Sequence, residues 1–285
     1  MATPYTTIIV RADDGIGFIT LNRPEKRNAM NPRLHEEMNR ALDALIEDEA
    51  VRVIILTGSG GNFCAGNDLK EFFAEQVERP LQFRRSSLMF AEWREKLRTC
   101  PKPTIAAVSG WCLGAGMAVM SLADFAIAAD DAKFGLPEIN FGVFPAGGAT
   151  KGPLELIAHR DCLDMVLTGR NIDAAEADRM RLINRCVPGV RLMDECLALA
   201  NQLKEKDPIA LMIAKEAFWR DKELDYPQAV DFEAGKHREL NFLQKGQWLS
   251  RGIKKFLDKE YKPSETSYMS LPEDKGGPAK PGRRT

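Results

Sequence analysis

Short apolar, β-branched runs alternate with stretches of helical period through the first half of the chain. Residues 7–10 and 17–21 read as two strands, joined by the turn signal Asp13-Asp14-Gly15. From Pro32 to about Glu49, Leu34, Met38, Ala41, Leu42 and Leu45 recur on one helical face, and Pro32 in the first turn needs no N–H. Residues 51–56 form another apolar run, ended by Thr57-Gly58-Ser59-Gly60-Gly61. A charged amphipathic region covers residues 68–98; then 104–108 reads as a buried strand, 114–122 as an apolar helix and 125–129 as a strand. Strands separated by helices predict parallel pairing with helical crossovers.

From about Lys151 the pattern turns mostly helical, with segments expected at 152–158, 160–168, 174–180, 192–205, 208–222, 229–244 and 246–259, and a last short strand at 182–187. Residues 263–285 are rich in Pro, Gly, Ser and charge and are expected to be disordered. The organisation expected is a core over 1–200, a helical region over 201–262, and that tail.

Composition narrows the class. Of 285 residues 44% are apolar, enough for a substantial core, and 40 basic against 41 acidic residues leave a net charge of −1. That balance gives no general attraction to nucleic acid or to an anionic membrane. The six cysteines form no C-x-x-C pair, so buried reduced thiols are expected rather than a disulfide framework or a metal site. Residues 1–7 lack a basic segment followed by an apolar core, and Asp124 and Asp130 interrupt the longest apolar stretch. A cytoplasmic protein with neither signal peptide nor membrane span is expected.

Three segments could carry chemistry. Cys64-Ala65-Gly66-Asn67-Asp68-Leu69-Lys70 follows a strand and a Gly-rich turn; free N–H groups at a helix start suit a developing oxyanion, with Asp68 as a first-turn cap. An ordinary strand-to-helix loop has the same spacing. Ser109-Gly110-Trp111-Cys112-Leu113-Gly114-Ala115-Gly116-Met117 offers small residues for close approach to the backbone, but Val119 stands where a dinucleotide fingerprint needs its third glycine. Tight helix-on-sheet packing also accounts for it. Glu138, within Phe134-Gly135-Leu136-Pro137-Glu138-Ile139-Asn140-Phe141, is a carboxylate among apolar residues, either a proton-transfer group of raised pKa or a turn cap. His35, His159 and His237 show no ligand spacing, and the basic run Arg23-Pro24-Glu25-Lys26-Arg27-Asn28 reads as a solvated loop.

Taken in order, Leu21 to Met30, Ala65 to Lys70, Gly110 to Gly116 and Phe134 to Glu138 resemble the crotonase (enoyl-CoA hydratase/isomerase) superfamily, over roughly Gly15 to Pro263. The resemblance implies an α/β fold, a spiral of ββα units closed by a C-terminal helical trimerisation region, giving a homotrimer or a dimer of trimers. It implies backbone N–H groups of Asn67 and Ala115 around a thioester carbonyl, and Glu138 as the catalytic acid/base. It assigns coenzyme A, as part of an acyl-CoA substrate, to Lys26, Arg27, Ala29, Ala65 and Asp68, with Phe256 and Lys259 closing over it. The acyl pocket would be lined by Phe72, Trp111, Ala118 and Phe141. No metal and no separate cofactor are implied.

One departure bears on the reaction. Where two-carboxylate hydratases carry a second Glu, this chain has Ala118. Trp111-Cys112, Glu138-Ile139-Asn140 and His159-Arg160 resemble the hydroxycinnamoyl-CoA hydratase-lyases of the superfamily, which hydrate an aromatic enoyl-CoA and cleave it to an aldehyde and acetyl-CoA. Phe72 and the neighbourhood of Phe232 align where those enzymes place phenol-binding tyrosines, which favours an apolar acyl group. Hydration with or without cleavage, double-bond isomerisation by the same carboxylate, and a non-catalytic acyl-CoA- or RNA-binding role are the readings carried forward.

Overall fold

The computed structural model describes residues 4–74 and 78–258. Strand β1 (Ile8–Asp13) runs antiparallel to β2 (Ile16–Leu21), and the two residues between them, Asp14 and Gly15, both have positive φ, as the tightest hairpin turn requires. Pairing extends β1 beyond its apolar stretch, because exposed Arg11 and Asp13 still contribute backbone bonds, and it adds buried Ile16 to β2. Helix α1 (Pro32–Glu47), capped by the Asn31 side chain on the Leu34 N–H, returns the chain to β3 (Val53–Gly58), which is parallel to β2.

The charged region 68–98, expected as one unit, divides into a π-helical turn (Leu69–Ala74) and α2 (Pro80–Arg98). Then follow β4 (Thr104–Val108), β5 (Trp111–Leu113), α3 (Ala115–Met120), β6 (Phe125–Ala129) and β7 (Lys133–Gly135). Helices α4 (Lys151–Leu154) and α5 (His159–Thr168) precede β8 (Asn171–Asp173), α6 (Ala174–Arg179), β9 (Arg185–Val187) and α7 (Leu192–Lys204).

A six-stranded sheet has the order β1-β2-β3-β4-β6-β9, parallel except for its first pair, and a smaller sheet has the order β5-β7-β8. Chain turns therefore repeat one plan: a long strand in the first sheet, a short one in the second, then helix. The short strands β5, β7 and β8 escape hydropathy because three residues carry no readable alternation.

Alternation along the long strands explains why both faces are dry. Ile19, Leu21, Ile54, Leu56, Ala106, Val108, Ala126 and Ala128 join one core with α1 and α3. Their neighbours Phe18, Val53, Ile55, Ile105, Ala107, Ile127 and Ala129 join a second with Leu192, Cys196 and Ala200 of α7.

The chain divides after Leu203. The second unit contains α8 (Pro208–Asp221) and α9 (Tyr226–Leu243), capped by the Asp207 and Asp225 side chains, then a π-helical turn (Trp248–Ile253) and α10 (Lys254–Leu257). Lys236 of α9 pairs with Glu216 of α8 at 2.6 Å. Helix α9 begins three residues before the apolar pattern does, because its Asp225 cap and Pro227 set the start. The tail at 263–285 and Lys259 lie outside the described residues, as does the side chain of Phe256, whose backbone belongs to α10.

Candidate active site

The segment 64–68 is held on both edges. On one, the Cys64 N–H donates to the Trp111 carbonyl (2.8 Å) and the Leu113 N–H to the Cys64 carbonyl (2.9 Å). On the other, the Ala65 N–H donates to Arg27 (2.9 Å), the Met30 N–H to Gly66 (2.8 Å) and the Asp68 N–H to Met30 (2.8 Å). This is a parallel bridge between Met30 and Asn67, so Asn67's own N–H and C=O face away from Met30, toward the edge where β5 runs into α3. Gly66 marks that approach: a Cβ there would lie 3.1 Å from the Leu113 carbonyl oxygen and 3.6 Å from the Ala115 nitrogen.

Two glycines shape the facing corner. Gly114 has φ 51° and ψ −115°, a backbone closed to side-chain-bearing residues, and this turns the chain from β5 straight into α3. Gly116 lets α3 lie on the 64–68 segment, since a Cβ there would be 2.4 Å from the Cys64 carbonyl oxygen. Tight packing and an exposed amide corner are thus one feature. Ala115 opens α3, so its N–H belongs to the first turn and has no acceptor within the helix.

Glu138 is delivered to the same corner by the smaller sheet. Strand β7 lies parallel to β5, the Gly114 N–H donates to the Gly135 carbonyl at 2.9 Å, and a 3₁₀ turn (Pro137–Phe141) follows at once. The carboxylate abuts Gly114 so closely that a Cβ there would sit 2.6 Å from Oε1. Oε2 is buried without a hydrogen-bond partner. Burial raises the Glu138 pKa above the ordinary glutamate value, and its own backbone N–H offsets this only in part. Asn67 Oδ1 is likewise buried and unpartnered.

Asp68, the next residue, lives differently. Its Oδ1 accepts the N–H groups of Lys70 (3.0 Å) and Glu71 (2.9 Å), capping the π-helical turn, and its Oδ2 pairs with Arg23 Nη1 at 3.1 Å. Arg23 Nη2 reaches Glu71 at 2.6 Å, and Arg23 Nη1 also donates to the Ala29 carbonyl at 2.6 Å. Burial alone would raise the Asp68 pKa; these donors outweigh it and hold the carboxyl below its usual value. The expectation of a solvated loop over 23–28 holds for residues 24–27, which are exposed, and is corrected at its two ends. Arg23 and Asn28 are buried, Asn28 donating to the carbonyls of Ser59 (2.9 Å) and Asn62 (2.6 Å), while Lys26 and Arg27 are exposed.

Of the residues expected in the acyl pocket, Phe72 is buried, meeting His35 edge-to-face at 5.3 Å and Phe83 at 5.6 Å. Ala118 is buried on α3, Trp111 is half-buried with the Arg27 guanidinium 5.9 Å from its ring, and Phe141 is 65% exposed. Cys64, against Gly66, is pushed up to about 12 by burial and stays a thiol. Among the described residues no three His, Cys, Asp or Glu side chains group as a metal site, and no helix is long and apolar enough to cross a membrane. Sequence reasoning missed Arg23 and the part played by Gly114; Gly114 stood inside a motif already singled out, but its conformation has no signal in composition.

Comparison with known proteins bears on this arrangement. The family model described as enoyl-CoA hydratase/isomerase matches residues 11–265. A hydroxycinnamoyl-CoA hydratase-lyase of Pseudomonas fluorescens is 41% identical over 270 residues, 93% of this chain and 97% of that protein. A probable enoyl-CoA hydratase of Mycobacterium bovis is 38% identical, covering 90% and 96%. A solved enoyl-CoA hydratase of Mycobacterium smegmatis superposes with a TM-score of 0.82 at 30% identity, over 90% of this chain and 97% of that one.

Proposed function

Because this chain belongs to the enoyl-CoA hydratase/isomerase family and has the crotonase fold, we propose that it hydrates a 2-enoyl-CoA with Glu138 as its single acid/base, and that carbon–carbon cleavage can follow. The observation that carries this reading is the desolvated Glu138 carboxyl against Gly114, beside the corner that the Asn67 and Ala115 N–H groups face.

In hydration, the thioester oxygen accepts from the Asn67 and Ala115 N–H groups. Glu138 as carboxylate takes a proton from water, the hydroxide oxygen bonds to the β-carbon, and negative charge moves onto the thioester oxygen as the enolate. Each N–H aimed there is worth about 3–4 kcal/mol in comparable sites, because charge grows on that oxygen during the step. Glu138 then returns the proton to the α-carbon. In cleavage, Glu138 removes the β-hydroxyl proton, the α–β bond breaks to release an aldehyde, and the acetyl-CoA enolate takes that proton at carbon. The 41% identity to a hydratase-lyase supports this second stage.

Lys26 and Arg27, exposed beside Ala65, suit the phosphates of coenzyme A. The sparsely buried α8–α9 unit, with Phe218, Tyr226 and Phe242 exposed, fits assembly as a trimer or a dimer of trimers. A reducing, cytoplasmic setting suits six free thiols, and the acyl-CoA itself is the one nucleotide-bearing ligand the reading needs.

Isomerisation is the second reading, favoured by Ala118: one carboxylate without a partner suffices to carry a proton between the α and γ carbons. Product analysis in ¹⁸O-water separates the two. Heavy oxygen in the product supports hydration, an aldehyde with acetyl-CoA supports cleavage, and an unlabelled product of unchanged mass with a shifted double bond replaces the proposal with isomerisation.

A further inference from the structure

Arg94 lies on α2 and is only half exposed. Its guanidinium carbon stands 4.3 Å from the centre of the Phe90 ring, and Nε makes a long 3.4 Å contact to the Phe90 carbonyl. Nη1 faces the loop after Glu138: a Cβ on Gly148 would be 2.7 Å from it and 4.0 Å from the Ala118 Cβ, and one on Gly147 would be 3.9 Å away. The charged end thus lies between α2, that glycine pair and the wall of α3 formed by Ala118.

What the guanidinium lacks, among the described residues, is an ion pair of its own. The carboxylate whose charge it feels, the adjacent Glu95, is taken bidentately by Arg98 at 3.0 and 2.7 Å. Glu138 does not supply it, since Oε2 has no partner. His35, behind Phe90 at 4.6 Å, accepts from Trp93 Nε1 through Nδ1 and is held neutral, its pKa lowered to about 3 by burial and by the Arg94 charge. An arginine cannot shed its charge, so a partly desolvated one whose neighbouring carboxylate is already paired elsewhere gains from an arriving anion.

We propose that Arg94 is a specificity residue that binds a carboxylate carried on the far part of the acyl group. The inference rests on the acyl-CoA reading above and adds to it the chemistry of the acyl end. A carboxylate matches the planar guanidinium fork with two coplanar oxygens and is already ionised, whereas a phenol would first have to lose a proton. On that side Nη1 faces the backbone of Gly147 and Gly148 and, beyond it, the methyl group of Ala118.

The test separates binding from turnover. Affinities of trans-2-enoyl-CoA thioesters of increasing length, each ending in a carboxylate or in its methyl ester, are measured by calorimetry on Glu138→Gln. Cinnamoyl- and 4-hydroxycinnamoyl-CoA are included, and all are assayed for turnover with the unaltered protein. At the matching length the carboxylate binds roughly 10- to 100-fold tighter than its methyl ester. Arg94→Met removes that preference without weakening binding of the methyl esters, and Arg94→Lys, a control for packing, keeps part of it. Equal binding of every acid and its ester, a preference that survives in Arg94→Met, or a preference confined to the phenol overturns the assignment. If methyl esters turn over with no carboxylate preference, hydration stands and this inference fails. If acids bind selectively but nothing turns over, this inference stands and hydration fails; if no thioester binds, both fall.

Discussion

Asn67 and Asp68 are consecutive, yet they enter opposite kinds of polar environment. Asp68 is the hub of a network in which Arg23 and the backbone N–H groups of Lys70 and Glu71 occupy its oxygens, while the Glu71 carboxylate takes the other Arg23 nitrogen. Across Asn67, the site keeps polar atoms buried and unmatched: Asn67 Oδ1 and Glu138 Oε2. A native fold tolerates few such atoms, because each forfeits about 1–3 kcal/mol of desolvation. The contrast separates scaffold from proposed site: the satisfied network fixes where the 64–68 segment lies, and the unmatched atoms are left for the ligand proposed above.

The sharpest way to break the contrast is Glu138→Gln. It keeps the shape and removes the proposed proton carrier, so turnover should fall about 10³-fold while CoA-ester affinity stays within a few-fold. Thermal stability should hold or rise slightly, because a neutral amide is cheaper to bury than the carboxylate it replaces. Substantial residual turnover would remove Glu138 from its role. Gly114→Ala attacks the same corner through the backbone. A Cβ would meet Glu138 Oε1 at 2.6 Å and force an unfavourable positive φ. Activity should drop about 10²-fold for a displaced carboxylate, with about 1–3 kcal/mol of stability lost.

Asp68→Asn addresses the scaffold side. It leaves Arg23 buried with half its ion pairing, at about 3 kcal/mol by the usual cost of breaking a buried pair. Melting should fall by roughly 6–12 °C, while kcat of the protein that remains folded changes little. A large loss of kcat without loss of stability would show the network acting on the chemistry.

Acid should separate the two regions without mutation. Burial raises the Glu138 pKa, so the basic form is lost, and kcat/KM with it, as pH falls through a value above the ordinary glutamate range. Asp68 is shifted the other way. Its stabilisation is fully present above the unfolded aspartate pKa and is lost only as pH falls through its lower folded value. Acidification should therefore pass through a window of folded, inactive protein, visible as activity loss preceding loss of circular dichroism. Coincident transitions would deny the difference.

How far this was legible in the sequence follows from the same physics. Long strands and α1 were readable because both are written in side-chain periodicity, down to Pro32 and Leu34. Strands β5, β7 and β8 were not, since three residues carry no period and are fixed by pairing alone. Glu138 stood out as a carboxylate among apolar residues, and the structure leaves it half-buried, with Oε2 buried and unpartnered. Arg23 hid in a basic run that looked solvated, because ion pairing across 45 and 48 positions leaves no local trace.

Ala118→Glu is the gentlest probe and bears on why one carboxylate stands in this site. Ala118 is buried on α3, across the Gly148 position from Arg94 Nη1. A glutamate introduced there gains a cationic neighbour, which stabilises its ionised form and lets it be buried at reduced cost. As a second base it should raise simple hydration of an unbranched enoyl-CoA, by less than about tenfold, because its pairing with Arg94 also weakens it as a proton acceptor. The same pairing should cost the site whatever acyl carboxylate Arg94 otherwise binds. A rise in hydration with loss of carboxylate selectivity would tie both effects to one guanidinium. A rise with selectivity intact would place the introduced carboxylate and Arg94 out of each other's reach.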